Sequence, residues 1–231
     1  MSYDIARVFI GFDSKEVIAY HALVQSLIDK STIPVAVTPI ALPMVKPMFW
    51  RERNALQSTE FSFSRFLTPY LSGFSGWSLF VDCDMFFRAD LAELWALRDD
   101  RYAVMCVKHD YTPKIETKFL GQTQTKYEKK NWSSVMLFNN ARCAALTPGY
   151  VNEATGLQLH QFKWLGDDTL IGELPVTWNH LVNEYDYRND AKLVHFTDGG
   201  PYFDEYRNDD YAAEWFALRD RVMHVVQKGD L

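Results

Sequence analysis

Ser78-Leu79-Phe80-Val81-Asp82-Cys83-Asp84-Met85-Phe86-Phe87 is the stretch on which the reading of this chain turns. Leu79-Phe80-Val81 is a short apolar run behind the breakers Gly73 and Gly76, the pattern of a strand buried on both faces. Asp82 and Asp84 stand one residue apart where that strand should end. Ligands in open α/β sheets gather at the carboxyl ends of strands, so chemistry is expected here. Alternate residues of extended backbone project to one side, which lets two such carboxylates grip one hard divalent cation. An acidic strand-to-loop transition gives the same pattern, so the rest of the chain has to decide.

Composition narrows the field. The chain has 231 residues, enough for a large core, and with no repeat, low-complexity tract or linker it reads as one domain over 1–231. Apolar residues at 48% and charged residues at 23% are ordinary for a globular protein. A net charge of −6 argues against nucleic acid as a general partner, because phosphate backbones need a basic surface. No run reaches the roughly 18 apolar residues of a membrane span. Met1-Ser2-Tyr3-Asp4 lacks the basic and apolar parts of a signal peptide. Cys83, Cys106 and Cys143 fit no metal spacing, and the expectation is reduced thiols in a cytoplasmic protein.

Outward from the central stretch, the chain reads as alternating strands and helices. Arg7 to Asp13 is a first strand ending in an acid, and Ser14 can cap a helix to about Lys30 with Val17, Val24 and Leu27/Ile28 inward. Asp13 suits either a helix cap or a nucleotide contact. Pro34 to Leu42 alternates as a second strand, followed by a long Pro- and Trp-containing loop through Arg53. A helix from Ser58 is expected from Phe63, Phe66, Leu67, Tyr70 and Leu71, which share one face; Arg65 falls off that face but leads toward Asp82. Asp90 and Glu93 resemble a helix start, and Tyr102 to Val107 reads as a strand. Residues 108–130 carry six lysines, which together favour an anionic ligand.

Asn131 to Asn139 is a polar entry to a buried strand. Thr147-Pro148 starts a helix expected to run to about Phe162. A second acidic pair, Asp167-Asp168, leads to Trp178-Asn179. Lys192 to Phe196 is a strand carrying His195, and Gly199-Gly200 behind it permit close backbone approach to a ligand. The final helix opens at Asp209/Asp210, with Tyr211, Trp215, Leu218, Val222 and Val225 as its inner stripe.

In this order the parts resemble the glycosyltransferases of family 8, the glycogenin and lipopolysaccharide-galactosyltransferase group. The landmarks are Ile10-Gly11-Phe12-Asp13, Ser64-Arg65-Phe66-Leu67, Val81-Asp82-Cys83-Asp84, Asn131 to Asn139, Asp167-Asp168 with Trp178-Asn179, and His195-Phe196. They run from the first strand to about Phe203, most of the chain. The resemblance implies an α/β fold of the GT-A type, a single nucleotide-sugar-binding domain with a mixed, mostly parallel sheet flanked by helices. It implies transfer of a hexose from a UDP-sugar to an acceptor hydroxyl on a glycan, lipid-linked or protein acceptor, with retained anomeric configuration. Asp82, Asp84 and His195 would hold Mn²⁺ or Mg²⁺, Asp13 would lie at the uracil, Gly11 would belong to the donor-binding site, and Arg65, Asn131 and Asp167 or Asp168 would lie near the sugar. The chain departs from the pattern in two places. Gly199-Gly200-Pro201-Tyr202 stands where the family carries a phosphate-binding Lys, which leaves the Gly turn or a lysine of 108–130 to replace it. Gly166-Asp167-Asp168 also leaves the register of the sugar-facing acid open by one residue.

Two rival readings share these residues. A haloacid-dehalogenase-like phosphohydrolase also carries an Asp-x-Asp after an apolar strand and a later Gly-Asp-Asp, imitated here by Gly166-Asp167-Asp168. Against it, Phe86 occupies the place of the expected Thr or Val, and a strand–helix–strand unit precedes the motif. A non-catalytic nucleotide-sugar binder is favoured by the missing Lys and opposed by the three retained ligand residues.

Overall fold

The computed structural model describes residues 5–53, 57–110 and 128–226. Its strands and helices follow in the order β1 (Ala6–Gly11), α1 (Val17–Lys30), β2 (Val35–Ile40), α2 (Leu42–Val45), α3 (Thr68–Leu71), β3 (Trp77–Val81) and β4 (Met85–Phe87). Then come α4 (Leu91–Trp95), β5 (Val104–Cys106), β6 (Val135–Asn139), α5 (Pro148–Glu153) and α6 (Gly156–His160). β7 (Ile171–Glu173), β8 (His180–Leu181), β9 (Leu193–His195) and α7 (Ala212–Val222) complete the order.

The main sheet runs β2-β1-β3-β6-β5-β7, with β6 antiparallel to both its neighbours and the other pairs parallel. This is the expected mixed, mostly parallel α/β sheet. Leu79, Phe80 and Val81 are fully buried, as an apolar run with no polar face requires. The strand order reverses between β1 and β3, because β1 pairs with β2 on one side and β3 on the other. The crevice beyond the carboxyl ends of those strands is the usual ligand position in such sheets, and Asp13 and Asp82 both lie there.

A second sheet, β4-β9-β8, was not expected from the sequence. β4 pairs antiparallel with β9 so that Met85 faces His195, and the Phe196 N–H donates to the Asp84 carbonyl at 2.9 Å. The chain therefore bends at Asp82-Cys83-Asp84 to pass from one sheet to the other.

Several helix expectations need correction. Ser14 does not cap α1; its hydroxyl donates to Glu60 at 2.6 Å, and the helix starts at Val17. The inner face is Ala19, Ala22, Leu23, Ser26 and Leu27, while Val17 and Ile28 are 41% and 66% exposed. Small residues face inward because α1 lies close against β4, where the Phe87 N–H donates to Ser26 Oγ at 2.9 Å. No continuous helix runs from Ser58. Pro69 has no N–H, and its ring would clash with the Arg65 carbonyl in an unbroken α-helix. The chain forms a 3₁₀ turn over Ser64–Leu67 and then α3, and the Thr68 hydroxyl donates to the Arg65 carbonyl at 2.8 Å.

The helix expected from Thr147 to Phe162 is two helices. Thr155 and Gln158 form a capping box that starts α6 afresh. At the break, a Cβ on Gly156 would lie 3.0 Å from the Phe63 ring, so the glycine admits that ring. In α7 the buried residues are Ala212 and Trp215, and Val225 lies past the helix end, 69% exposed. No helix among the described residues is long and apolar enough to cross a membrane.

Gly11 carries one clear structural demand. A Cβ there would lie 2.3 Å from the Phe61 ring, which sits across the end of β1. Gly11→Ala should destabilise the protein by about 1–3 kcal/mol, the range for overpacking a filled site. An unchanged urea midpoint in that variant would show that Phe61 is not held against the strand.

Candidate metal centre

Asp82, Asp84 and His195 each offer one ligand atom, and these atoms all lie within 4.8 Å of one another. All three residues are buried. The two acids come from the bend after β3 and the histidine from the end of β9, so the β4–β9 register assembles the group. His195 Nε2 stands 3.4 Å from Asp84 Oδ1, and His195 Nδ1 lies 2.9 Å from Asn179 Oδ1. Two carboxylates and an imidazole are a fitting donor set for Mn²⁺, and carboxylates alone suit Mg²⁺.

Burial of the acids has an electrostatic cost that the surroundings partly offset. Desolvation raises the Asp82 pKa to about 6 against the opposing charge of Arg65, with Asp84 pushing it up further. Arg65 Nη1 donates to Asp82 Oδ1 at 2.7 Å and to the Ser133 carbonyl at 2.9 Å. Its guanidinium carbon lies 5.1 Å and 5.2 Å from the centres of the Phe61 and Phe80 rings. Arg65, read as lying off the apolar face, is thus buried and holds Asp82. The 3₁₀ turn that Pro69 imposes is what delivers it.

The remaining expected residues fall into two groups. Asn131 belongs to the surroundings of the centre: it adopts a left-handed φ of 61°, and its Nδ2 donates to Thr197 Oγ1 at 3.0 Å. Its carbonyl accepts from Asn179 Nδ2 at 3.3 Å and from Ser134 Oγ at 2.6 Å. Asp13 is buried, and its two oxygens accept from the Lys15 and Glu60 N–H groups at 2.9 and 3.0 Å. Together with Gly11 it clamps the segment that carries Phe61 toward Arg65. Gly199 has φ 143°, and its N–H donates to the Phe196 carbonyl at 3.0 Å. A Cβ on Gly200 would lie 2.2 Å from the Tyr202 ring.

Asp167 and Asp168 stand apart. Both are exposed, and neither belongs to the three-residue group. Asp167 caps a 3₁₀ turn by accepting from the Thr169 N–H at 2.8 Å, and Asp168 pairs with Lys129 Nζ at 2.6 Å. Of the lysine-rich segment, Lys114, Lys118 and Lys126 lie outside the described residues. Lys108 and Lys129 place their ammonium groups 5.9 and 5.8 Å from the centre of the Trp132 ring.

Two residues with no assigned role join the neighbourhood. Asn179, marked only as a landmark, contacts His195 directly. Glu16 is buried beside the motif: Tyr202 OH donates to its Oε1 at 2.9 Å, and Cys83 Sγ lies 3.7 Å from its Oε2. Burial, with Asp84 and Asp13 adding to it, pushes the Glu16 carboxyl up to about 8. No motif distinguishes Glu16 from a helix-start acid, and no spacing pairs Asn179 with a histidine.

No family model matches the chain. Protein CDI of Arabidopsis thaliana is 48% identical over 218 residues, covering 90% of this chain and 84% of that protein. Among solved structures, the bifunctional glycosyltransferase WbbM aligns with a TM-score of 0.65 at 14% identity, over 93% of this chain and 49% of WbbM. The chain spans about half of WbbM's length. Streptococcus pneumoniae glycosyltransferase GlyE gives 0.60 at 13% identity, over 94% of this chain and 61% of GlyE. The galactosyltransferase LgtC, solved with donor and acceptor sugar analogs, gives 0.57 at 10% identity, over 97% of this chain and all of LgtC. At these identities the likeness is one of fold, and the fold is that of the GT-A-type glycosyltransferases.

The raised pKa of Asp82 gives a pH test. The native protein holds a proton that the unfolded chain, with an ordinary carboxyl near 4, has released. That contribution to stability is fully present below about pH 4 and is lost as pH rises to about 6. Cation binding needs the anion, so stabilisation by Mn²⁺ should grow across the same interval. Thermal unfolding with and without Mn²⁺ from pH 4 to 8 measures both trends. Stabilisation by Mn²⁺ that is flat over this range would exclude Asp82 as a ligand.

Proposed function

The chain belongs to the family of Arabidopsis thaliana Protein CDI, and we propose that over residues 1–231 it is one catalytic domain that transfers a hexose from a UDP-sugar to an acceptor hydroxyl. The observation that carries this reading is the convergence of Asp82, Asp84 and His195 at the carboxyl end of β3 in a GT-A-type fold. A family-8-like donor preference is taken from the sequence resemblance.

Asp82, Asp84 and His195 would hold the cation, Mn²⁺ or Mg²⁺. A divalent ion held there would supply positive charge against a departing diphosphate. The chain's own residues do the positioning. Arg65 fixes Asp82 from the side, using the Ser133 carbonyl as a second anchor. Tyr202 and Glu16 tie the turn after β9 to the start of α1, which closes the centre from the other side. With no Lys in the Gly199–Tyr202 turn, phosphate charge left uncompensated by the cation falls to lysines of 108–130.

In the transfer, the acceptor oxygen bonds to the anomeric carbon while the bond to the diphosphate oxygen breaks. The electron pair leaves on the diphosphate, which also takes the acceptor's proton. Entry on the face the diphosphate leaves retains the anomeric configuration. Retention is taken from the family-8 resemblance; an inverting route would instead need a carboxylate base beside the acceptor hydroxyl. Asp167 and Asp168 then serve at most as rim charges near the sugar, since Asp168 is already paired with Lys129. A lipid-linked, glycan or protein acceptor in a reducing, cytoplasmic setting completes the proposal, and the three buried free thiols support that setting.

The phosphohydrolase reading requires Gly166-Asp167-Asp168 to complete a site with Asp82 and Asp84. That segment is exposed, and His195 is the third member of the group instead.

A donor screen with and without Mn²⁺ separates the readings. UDP release that requires Mn²⁺, together with a fall of 100-fold or more in Asp84→Asn with unchanged circular dichroism, is the expected result. Phosphate release from monoesters would replace the transferase by a hydrolase, and donor binding without turnover would leave a binder. Proton NMR of the first product should show an α-linkage from an α-linked donor; a β-linkage would overturn retention.

A further inference from the structure

We infer that Asn179 is a positioning residue that fixes the tautomer of His195, and thereby makes the ring nitrogen facing Asp84 the one that binds the cation. The inference deepens the proposed function and rests on it only in assigning the cation to the transfer site.

The hydrogen-bond network determines which way the Asn179 amide points. Asn179 is fully buried. One end of its amide meets the Asn131 carbonyl at 3.3 Å and Ser134 Oγ at 2.8 Å. A carbonyl only accepts. The Ser134 hydroxyl spends its own hydrogen on the same carbonyl at 2.6 Å, so it turns a lone pair toward Asn179. Both neighbours at that end are acceptors, and the amide NH₂ must face them. The amide oxygen therefore lies at the other end, 2.9 Å from His195 Nδ1.

An amide oxygen cannot donate, so Nδ1 carries the proton. In the neutral ring Nε2 is then bare. That bare nitrogen stands 3.4 Å from Asp84 Oδ1, with a ligand atom of Asp82 inside the same 4.8 Å group. A lone pair and two carboxylates pointing at one place suit a cation and oppose one another without it. A His195 free to choose would put its proton on Nε2 and donate it to Asp84, which blocks the ligand position. Asn179 prevents that choice.

The same contacts join the two sheets. Asn131 and Ser134 precede or enter the main sheet, whereas His195 ends β9 of the smaller one. Asn131 reaches the β9 side a second time through Thr197. The tautomer is thus set by a buried clasp that also fixes the distance between the two halves of the centre. Ligand histidines held in this way by their other nitrogen lose about 10–100-fold in metal affinity when the partner is removed.

Two-bond proton–nitrogen NMR of metal-free, ¹⁵N-labelled protein, recorded with the ring neutral, reads the tautomer directly. His195 should carry its proton on Nδ1; a proton on Nε2 in the unaltered protein would overturn the inference without any variant. In Asn179→Leu the proton should move to Nε2, and the Kd for Mn²⁺ by calorimetry should rise about 10–100-fold. In a His195→Ala background the same substitution should change Mn²⁺ affinity no further, because its effect passes through the ring. An equal loss in that background would assign Asn179 a merely structural role. Asn179→Asp, which retains an acceptor for Nδ1–H, should keep the native tautomer and serves if the leucine variant does not fold. Protein that shows the Nδ1–H tautomer and binds Mn²⁺ yet releases no UDP from any donor would sink the transferase reading and leave this one standing.

Discussion

Two carboxylates, Asp82 and Asp84, are buried one residue apart, and their mutual repulsion in a low-dielectric setting is the constraint on which the surrounding structure depends. Each neighbour answers part of it. Arg65 sets a positive charge 2.7 Å from Asp82, and burial together with the neighbouring acids pushes the Glu16 carboxyl up to about 8, which disfavours a third negative charge beside them. Even so, Asp82 remains raised to about 6. The compensation is incomplete in the protein alone, and a divalent cation between the acids and His195 is the group that would complete it.

The location of this charge follows from how the sheets are joined. A strand buried on both faces cannot carry a charged residue within it, so the acids appear where β3 ends. There the chain bends and begins β4, which pairs with β9 and brings His195 opposite Met85. Sheet pairing has a register of one residue, and a slip by one would turn His195 to the other face. The centre is therefore as precise as the backbone hydrogen bonds that fix β4 against β9. Asn179 adds a side-chain clasp to that backbone alignment.

Glycine and proline contribute by shaping approach. Gly11 leaves room for Phe61, whose ring flanks the guanidinium of Arg65. Pro69 breaks what would otherwise be a longer helix, and the resulting 3₁₀ turn carries Arg65 inward. Gly200 lets the Tyr202 ring fold back so that its hydroxyl reaches Glu16. In each case a small backbone permission decides where a large or charged side chain ends up.

Several of these features were legible in the residues themselves. The apolar run before Asp82, the first strand ending at Asp13 and the strand carrying His195 have local patterns, because burial on a sheet leaves a mark on consecutive residues. The acids and the histidine at strand ends, with the order of the landmarks, placed the metal group before any distance was known. Arg65 showed only as a break in an apolar face, a signal that does not separate a solvated side chain from a buried partner. Val17 and Ile28 lie on the outer face because the inner one is built largely from the small residues Ala19, Ala22 and Ser26, which let α1 approach β4 and leave little mark on a pattern of large apolar side chains. Asp167 and Asp168 stand out as an acidic pair; both are exposed, and Asp168 is paired with Lys129.

The sequence by itself determined the α/β class and the position of the acids, which depend on local periodicity and on residue type at a strand end, and the order of its landmarks supplied the resemblance that named the three candidate ligands. Only the tertiary structure decided that Arg65 faces Asp82, that Glu16 is buried beside Cys83, and that Asn179 holds His195. Those contacts span 16 to 67 residues and are made by one side chain at each end. No repeating pattern records a meeting of two single side chains; it exists only once the chain has folded back upon itself and the sheet register has set the distance.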